Sequence, residues 1–426
     1  MLLTNQIPYT YGYTPSPGPK CDDKEMVQGG ISRAMQAIFQ DNFVPWKLRP
    51  RNSDFEPDLY GKRTWVKKLE ITHTVSKRDS GCYKPLADEV DESYTLDLDS
   101  NGKAKITAKS VIGVLRALES FVQLFYKHSS GTDFYTTLAP VRIEDAPKFP
   151  HRGVMMDVAR NFFPVSDIYR TIDAMSWNKM NRLHIHMTDS QSWPLVIPSL
   201  PKLAEKGAYA KGVWYTPQDL QAILEYGSHR GVEVIVEVDM PGHIGSVALA
   251  YPDLVVAYNE QPYHWWCLEP PCGALKMNDT AVYAFLGKLF DDLLPRVTAY
   301  SSYFHTGGDE LYPNDTMLDE GIRSNDTVVL RPYLQKFLDF VFGEIREKGL
   351  RPVMWQDNLL DEQWEMKVGK DVLIQTWLGG LSVKNATKMG YKVIDSNYEF
   401  WVCFLPFAFP IFPFPLPSSP HLRLPC

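Results

Sequence analysis

The chain has 426 residues and a formal net charge of −7, and 44% of its residues are hydrophobic and 22% charged. This composition is ordinary for a globular protein, and the length allows two domains or one large barrel with an appendage. A negative net charge without a long basic run argues against nucleic acid as a partner, and no stretch is long and apolar enough to span a membrane.

Residues 1–61 are rich in Pro, Gly and polar residues and show little periodicity, so they are treated as an N-terminal segment of undefined structure. A small α+β domain is predicted over residues 62–147. WVKKLEITHTV, SYTLDLD and AKITA alternate apolar and polar residues as half-buried strands do. SVIGVLRALESFVQLFYK has a helical period, and the apolar face of this predicted helix consists of Val111, Leu115, Leu118, Val122 and Phe125.

Residues 148–400 repeat a different unit, in which a short apolar run is followed by a polar cluster and a helical stretch. Seven such runs occur, at 153–160, 182–189, 232–243, 303–310, 351–357, 372–377 and 391–398. One intervening helix is expected to begin after the N-cap residue Thr216, with Pro217 in its first turn. This alternation predicts an α/β fold, and polar residues at the carboxyl ends of the strands favour a (β/α)8 TIM barrel over an open sheet.

The eighth strand of such a barrel is missing from the pattern. Residues 401–426 have a proline every few positions and no acid, and proline can neither continue a helix nor donate to a central strand. We interpret this segment as an aberrant tail, such as translated intron or an alternative end, in preference to an authentic proline-rich tail.

Two features predict passage through an oxidising, glycosylating compartment. Cys267 and Cys272 are close enough in sequence to close a tight loop by a disulfide bond. Four N-x-[ST] sequons, three of which read NDT, begin at Asn278, Asn314, Asn325 and Asn385. We therefore expect a secreted glycoprotein, or one of a lysosome-like or vacuole-like compartment. The first residues have neither the basic n-region nor the apolar core of a signal peptide. Either the natural start differs from this one, or the protein is intracellular.

Polar and aromatic side chains cluster where the predicted barrel strands end. They are Arg160, His184, His186, Asp189, Asp239, His243, His305, Asp309, Glu310, Trp355, Asp357 and Trp377. Asp309 and Glu310 are adjacent, and neighbouring carboxylates at a dry strand end repel each other. Because burying both without a purpose is costly, this pair indicates a site.

Three chemistries are compatible with these residues. His184 and His186 form an H-x-H pair that suits a metal-dependent hydrolase, but the pair is not on the first strand and no strand-end lysine or Cys/His cluster completes it, so a structural role is favoured. A retaining glycosidase commonly needs two carboxylates about 5 Å apart across a sugar ring, which consecutive residues do not easily provide. In the third chemistry the substrate's acetamido group is the nucleophile, and the two acids serve as proton donor and as orienting group.

Several blocks resemble the family 20 β-N-acetylhexosaminidases among the glycoside hydrolases. HTGGDE resembles the family's H-x-G-G-D-E signature, and MDVARNFFP, LHIHMTDSQSWPL, EVDMPGH and GVLRALESFVQL are similar to its other blocks in order and spacing, over roughly residues 62–400. TDSQSW and CLEPPCG are similar to fungal members in particular. The resemblance implies hydrolysis of terminal N-acetylglucosamine or N-acetylgalactosamine from β-linked oligosaccharides or glycoconjugates, chitin fragments included. It implies neither a metal nor an organic cofactor, and many members are homodimers.

The resemblance also implies roles for the acids and their neighbours. Glu310 would be the general acid and later the base, and Asp309 would hold the acetamido nitrogen and stabilise an oxazolinium intermediate. His243 and Asp189 would form a hydrogen-bonded relay that tunes the pKa of Glu310.

For the remaining site residues the resemblance implies contacts with sugar. Arg160 would bind sugar hydroxyls, and Trp355 and Trp377 would enclose the acetamido methyl and the ring face. Without the resemblance, Arg160 is equally well explained as an ion-pair partner, and the two tryptophans as core. The family continues its seventh strand into a Tyr-x-Asp segment and supplies a further Trp from the eighth, whereas here Trp401 and Val402 lead into the tail. The alternative function is therefore a catalytically inactive hexosaminidase-like protein from a mis-spliced or misassigned gene.

Overall fold

A computed structural model describes residues 1–4, 6–12, 23–41, 56–59, 64–73, 84 and 86–400. The predicted proline-rich tail at 401–426 lies outside the described residues, as do Trp401 and Val402. Among the described residues, no helix combines the length and apolar character needed to cross a membrane.

The N-terminal part is an α+β domain built on two sheets. Its strands are β1 (Leu2–Leu3), β2 (Tyr9–Gly12), β3 (Lys68–His73), β4 (Tyr94–Leu98), β5 (Lys103–Ala108), β6 (Tyr126–Lys127), β7 (Phe134–Tyr135) and β8 (Val141–Asp145). The larger sheet has the order β2-β3-β5-β4-β8, and β1, β7 and β6 form a smaller antiparallel sheet. Two helices, α1 (Asp23–Phe39) and α2 (Val111–Val122), pack against each other in the core of this domain.

Helix α2 confirms the predicted helix, although it is shorter. Its N-cap is Ser110, whose Oγ accepts a hydrogen bond from the backbone N–H of Gly113 at 3.1 Å. The five apolar positions assigned to its buried face are all buried, the last of them just beyond the helix end. Amphipathic spacing therefore identified the element and its core-facing side correctly.

The domain begins well before the predicted boundary at residue 62. Strand β2 pairs in parallel with β3, with Tyr9 opposite Leu69, and α1 packs on α2. Gly30 permits that helix contact, since a Cβ at this position would lie 2.7 Å from Cδ2 of Leu115. Much of the N-terminal segment that the sequence left undefined is thus part of the α+β domain.

The C-terminal part confirms all seven predicted barrel strands. They are β9 (Gly153–Asp157), β10 (Arg182–His186), β11 (Glu233–Glu237), β14 (Tyr303–His305), β15 (Arg351–Trp355), β16 (Leu373–Thr376) and β17 (Val393–Asp395). They form one parallel sheet in chain order, with β9 and β17 at its edges. Nε2 of Gln375 on β16 lies 3.5 Å from Nδ1 of His184 on β10, although three strands separate β16 from β10 in the sheet. The sheet is therefore curled into an incomplete barrel.

Helices and short loop elements surround this sheet. The helices are α3 (Val165–Trp177), α4 (Lys202–Gly207), α5 (Pro217–Ser228), α6 (Tyr263–Trp266), α7 (Thr280–Thr298), α8 (Thr327–Glu347), α9 (Asp357–Leu360) and α10 (Leu381–Lys388). The loops contain the two-stranded pair β12 (Val255–Val256) and β13 (Ala274–Leu275), and 3-10 helices at Gly245–Leu249, Pro252–Leu254, Pro313–Leu318 and Tyr398–Phe400. The predicted cap of α5 is confirmed: Thr216 and Asp219 form a reciprocal capping box before Pro217.

Candidate active site

A buried carboxylate, Glu237, organises the interior of the curled sheet. Its Oε2 lies 2.6 Å from Nε2 of His184 and 3.0 Å from Nδ1 of His186. Its Oε1 accepts a hydrogen bond from the Trp355 indole at 2.9 Å and lies 3.2 Å from Nδ1 of His305. Burial raises the pKa of Glu237, but the imidazoles outweigh burial and lower it well below its ordinary value.

Sequence reasoning missed Glu237, although a signal was present. In VEVIVEVD, Glu233, Glu237 and Asp239 occupy alternate positions with Ile235, so they share one face of an otherwise apolar strand. An acid on that face needs a partner inside the sheet. His184 and His186, which likewise occupy alternate positions of their strand, supply this partner from the neighbouring strand.

The contacts of His184 and His186 support the favoured structural role. His186 Nε2 lies 2.7 Å from Asp189 Oδ2, so this imidazole connects Glu237 with the carboxylate after its own strand. The carboxylates favour its charged form more than burial disfavours it, which raises the pKa of His186 well above its ordinary value. Burial lowers the pKa of His184 to about 4, and its ring stacks on His305 with centroids 4.5 Å apart. The two histidines therefore stabilise the carboxyl ends of the strands through contacts inside the sheet.

The two glycines of HTGGDE turn the chain sharply after β14. Gly307 and Gly308 have φ values of +65° and +91°, a region that favours glycine. A Cβ on Gly307 would lie 1.8 Å from Oδ1 of Asp239, and the same oxygen accepts a hydrogen bond from the Gly308 N–H at 2.8 Å. This close approach places Asp309 and Glu310 at the carboxyl edge of the sheet.

His243 contacts both acids of the pair. Its Nε2 lies 3.3 Å from Glu310 Oε2 and 3.8 Å from Asp309 Oδ2, while its Nδ1 lies 3.3 Å from Asp189 Oδ1. Burial lowers the pKa of His243, but these three carboxylates together raise it well above its ordinary value. The four residues predicted to act together are therefore in contact, through a buried cationic imidazole.

Two further carboxyl groups beside the pair have raised pKa values. Asp239 is buried, its Oδ2 has no hydrogen-bond partner among the described residues, and burial together with the charge of Asp309 raises its pKa. Burial and the charge of Asp309 raise the pKa of Asp357 to about 7. The Trp377 indole donates to Asp357 Oδ2 at 2.8 Å. The negative charge of Asp309 thus disfavours ionisation of both neighbouring carboxyl groups.

The two tryptophans predicted to enclose the sugar occupy different environments. Trp377 is half-buried beside Asp357, near the acid pair. Trp355 is 6% exposed and directs its indole N–H at Glu237 inside the sheet. Its ring also packs against His305, with centroids 4.9 Å apart. The pocket role of both tryptophans stays a prediction.

Arg160 is a further cation of the site and is held by three carboxylates. Its Nη1 donates to Asp157 Oδ2 at 2.9 Å, and its Nη2 lies 3.0 Å from Asp189 Oδ2 and 2.7 Å from Glu269 Oε2. Burial opposes its charge, but Asp189 and the other acids outweigh burial and raise its pKa. Sequence reasoning missed Asp157 and Glu269. Sugar hydroxyls that bind Arg160 would have to share it with these partners.

Glu269 lies on a loop whose predicted disulfide is present, joining Cys267 and Cys272. The sequon asparagines differ in exposure: Asn278, Asn325 and Asn385 are exposed, and Asn314 is half-buried. The Asn314 amide donates to the carbonyl of Trp265 at 2.9 Å and accepts from Nδ2 of Asn325 at 2.8 Å.

Comparison with known proteins finds matches to two related families, one in each part of the chain. Residues 149–407 match the family described as glycosyl hydrolase family 20, catalytic domain, and residues 10–124 match the one described as beta-acetyl hexosaminidase like. A beta-hexosaminidase of Arthroderma benhamiae is 39% identical over 386 residues, which cover 89% of this chain and 63% of that protein. A chitooligosaccharidolytic beta-N-acetylglucosaminidase of Bombyx mori is 33% identical, over 73% of this chain and 55% of that protein.

Solved structures give the same answer for the fold. The chitobiase of Flavobacterium johnsoniae superposes with a TM-score of 0.70 at 27% identity, over 93% of this chain and 56% of that one. An exo β-N-acetylglucosaminidase of Vibrio harveyi superposes with a TM-score of 0.69 at 21% identity, over 93% and 58%, and at that identity shows the fold alone. The chain thus spans less than two thirds of the length of these relatives.

Proposed function

Because the chain belongs to glycoside hydrolase family 20, we propose that it is a β-N-acetylhexosaminidase, which removes terminal N-acetylglucosamine or N-acetylgalactosamine from the non-reducing ends of β-glycosides. The observation that carries the proposal is the position of His243, within 3.3 Å of Glu310 and of Asp189 and beside Asp309. This arrangement holds Glu310 next to a cation, while Asp309, 3.8 Å from the same ring, has an Oδ1 without a hydrogen-bond partner among the described residues that can orient a substrate group.

In the first half of the reaction, Glu310 donates its proton to the glycosidic oxygen. The bond from C1 to that oxygen breaks, its electron pair stays with the leaving oxygen, and the acetamido oxygen of the same sugar bonds to C1. Asp309 accepts a hydrogen bond from the acetamido N–H and stabilises the positive oxazolinium ring. A nucleophile held inside the substrate has the high effective concentration of an intramolecular reaction, so two adjacent acids suffice and need not flank the ring.

In the second half, water replaces the acetamido oxygen. Glu310 accepts a proton from the water as its oxygen bonds to C1, and the bond between C1 and the acetamido oxygen breaks. The two displacements at C1 together retain the β configuration, and Glu310 is protonated again. His243, fixed by Asp189, keeps a positive charge beside Glu310 in both halves and so stabilises it when it is ionised.

The substrates we propose are oligosaccharides and glycoconjugates with a terminal β-linked N-acetylhexosamine, chitin fragments among them. The Bombyx mori relative, chitooligosaccharidolytic by name, supports the chitin fragments. We propose a secreted, lysosomal or vacuolar location, which the three exposed sequons and the Cys267–Cys272 disulfide support. Homodimer formation stays a prediction.

The test is turnover of two aryl glycosides by the purified chain 1–426. We expect release of the aryl group from the β-N-acetylglucosaminide and none from the corresponding β-glucoside, which has no acetamido group. Equal turnover of both would contradict substrate assistance, and no turnover of either by a folded chain would contradict the proposed function. Activity that survives EDTA would remove the metal-dependent alternative for His184 and His186.

A further inference from the structure

A small cavity lies between the acid pair and the disulfide loop. Its volume is about 20 Å³, and its polar lining includes Glu310, His243, Glu269 and Asp315. Asp309 does not line it. The space suits one hydroxyl group or one water molecule rather than a whole sugar ring.

Asp315 is the unexplained member of this lining. It lies in the 3-10 helix Pro313–Leu318, is 3% exposed, and its Oδ1 has no hydrogen-bond partner among the described residues. Burial raises the pKa of Asp315 to about 8, so the neutral acid, which can donate a hydrogen bond, predominates at neutral pH. An unpartnered buried carboxyl costs stability, and the reaction proposed above makes no use of it.

The helix that carries Asp315 is tied to the disulfide loop region. The Asn314 amide donates to the carbonyl of Trp265 at 2.9 Å. Trp265 and Leu268 are 51% and 60% exposed. Asp315 thus lines the cavity together with Leu268, and its neighbour Asn314 is bonded to the exposed Trp265.

We infer that Asp315 hydrogen-bonds a hydroxyl group of the leaving saccharide and so favours a sugar over an aryl group on that side of the scissile bond. The inference rests on the proposed function, in which Asp309 holds the acetamido group of the sugar being cleaved. The cavity adjoins the proton donor Glu310 and not Asp309, which is the arrangement expected of a site for the leaving saccharide. A hydroxyl there would give Asp315 Oδ1 the hydrogen-bond partner that it lacks among the described residues.

The test compares N,N′-diacetylchitobiose with an aryl β-N-acetylglucosaminide as substrates for wild type, Asp315→Ala and Asp315→Asn. Loss of one hydrogen bond to the leaving sugar is expected to lower the ratio of kcat/KM for the disaccharide to that for the aryl glycoside about tenfold in Asp315→Ala. Asp315→Asn retains a donor and should keep most of the ratio. Asp319→Asn is the matched control, since Asp319 is 4% exposed, directly follows the same helix and does not line the cavity.

Thermal unfolding of the same proteins separates recognition from a structural role. Removal of an unpartnered buried carboxyl is expected to leave the Tm of Asp315→Ala equal to or above that of wild type. A lower Tm, or an unchanged substrate ratio in Asp315→Ala, overturns the inference while the proposed function stands. If the folded wild type cleaves neither substrate, the proposed function itself fails, and this inference fails with it.

Discussion

At the scale of single residues, the charge of His243 depends on its position among acids. A buried imidazole is ordinarily neutral, because burial disfavours the charged form. Here Asp309, Asp189 and Glu310 surround the ring and raise its pKa well above the ordinary value of 6.5. The folded protein therefore binds a proton that the unfolded chain releases near that ordinary value.

This linkage predicts how stability changes with pH. Since the folded pKa is raised, the stabilisation from His243 is fully present below about pH 6.5 and is lost as the pH rises through the folded value. Urea unfolding of wild type and His243→Gln between pH 6 and 9 should show an advantage of wild type that shrinks as pH rises. An advantage that is constant or grows over this range would contradict the charge assigned to His243. His186, whose pKa is also raised, is common to both proteins.

In the proposed reaction, Asp189 acts through His243 and is a positioning residue. Asp189→Asn keeps the shape of the side chain but removes the charge that favours the imidazolium, so we expect kcat to fall about a hundredfold with little change in KM. The acid limb of the pH–rate profile should shift as well, which a purely structural change would not cause. Asp173→Asn is the control: Asp173 pairs with Arg230 away from the acids, and the variant should retain wild-type kcat. Unchanged kcat in Asp189→Asn would contradict the relay.

At the scale of elements, the turn after β14 is the most constrained connection of the site. Gly307 combines a positive φ with a position where a Cβ would lie 1.8 Å from Asp239 Oδ1. Asp239 is itself buried and is surrounded by buried residues of the sheet, so it has little space into which to move. The conformation that presents the acids therefore depends on the absence of a side chain at this residue.

Gly307→Ala is expected to lower the free energy of unfolding by at least about 2 kcal/mol, from backbone strain and overpacking together. The matched control is Gly343→Ala within α8, where a Cβ would meet nothing within 4 Å, and which should stabilise the helix by up to about 1 kcal/mol. Chemical denaturation measures both changes. Equal free energies of unfolding for the two variants would contradict the close approach of Gly307 to Asp239.

At the scale of the whole molecule, a buried ion network joins the α+β domain to the barrel. Glu92 precedes β4 and lies 2.8 Å from Arg116 Nε on α2 and 2.7 Å from Arg152 Nη2 beside β9. Asn181, before β10, donates to Glu92 at 3.0 Å. Burial raises the pKa of Glu92, but the two arginines outweigh burial and lower it. The carboxylate thus compensates two cations that belong to different domains.

Glu92→Ala is expected to destabilise the whole chain by about 3–5 kcal/mol, because it leaves the buried Arg116 unpaired. Glu144→Ala is the control: its partner Arg142 is 61% exposed in the side chain, and such surface pairs contribute less than about 1 kcal/mol. Urea unfolding curves give both values. A small effect in Glu92→Ala, or separate unfolding of the two domains in wild type, would contradict this coupling.

The sequence predicted the barrel strands well because each is a short apolar run that ends in polar residues. It was uninformative for α1 and β2: α1 contains Gly29 and Gly30, and β2 is only four residues long and largely exposed. Gly30 is explained only by the close contact of α1 with α2, which is a tertiary feature. Prediction from the local sequence pattern therefore failed for elements whose residues are determined by packing rather than by periodicity.

The same division holds within the candidate site. Asp309 and Glu310 could be found from the sequence because two adjacent acids end an apolar run. Glu237 and Glu269 were missed, since each matters through partners distant in sequence: three imidazoles for Glu237, and Arg160 for Glu269. The sequence predicts which residues carry the chemistry, and the fold determines which charges surround them.

The most direct test of the account is release of the aryl group from an aryl β-N-acetylglucosaminide by the wild-type chain, Glu310→Gln and Asp309→Asn, with circular dichroism to verify folding. We predict turnover by wild type, none by Glu310→Gln, and loss of most activity in Asp309→Asn, with all three proteins folded. Full activity in either variant would contradict the assignment of the adjacent acids as proton donor and acetamido-orienting group.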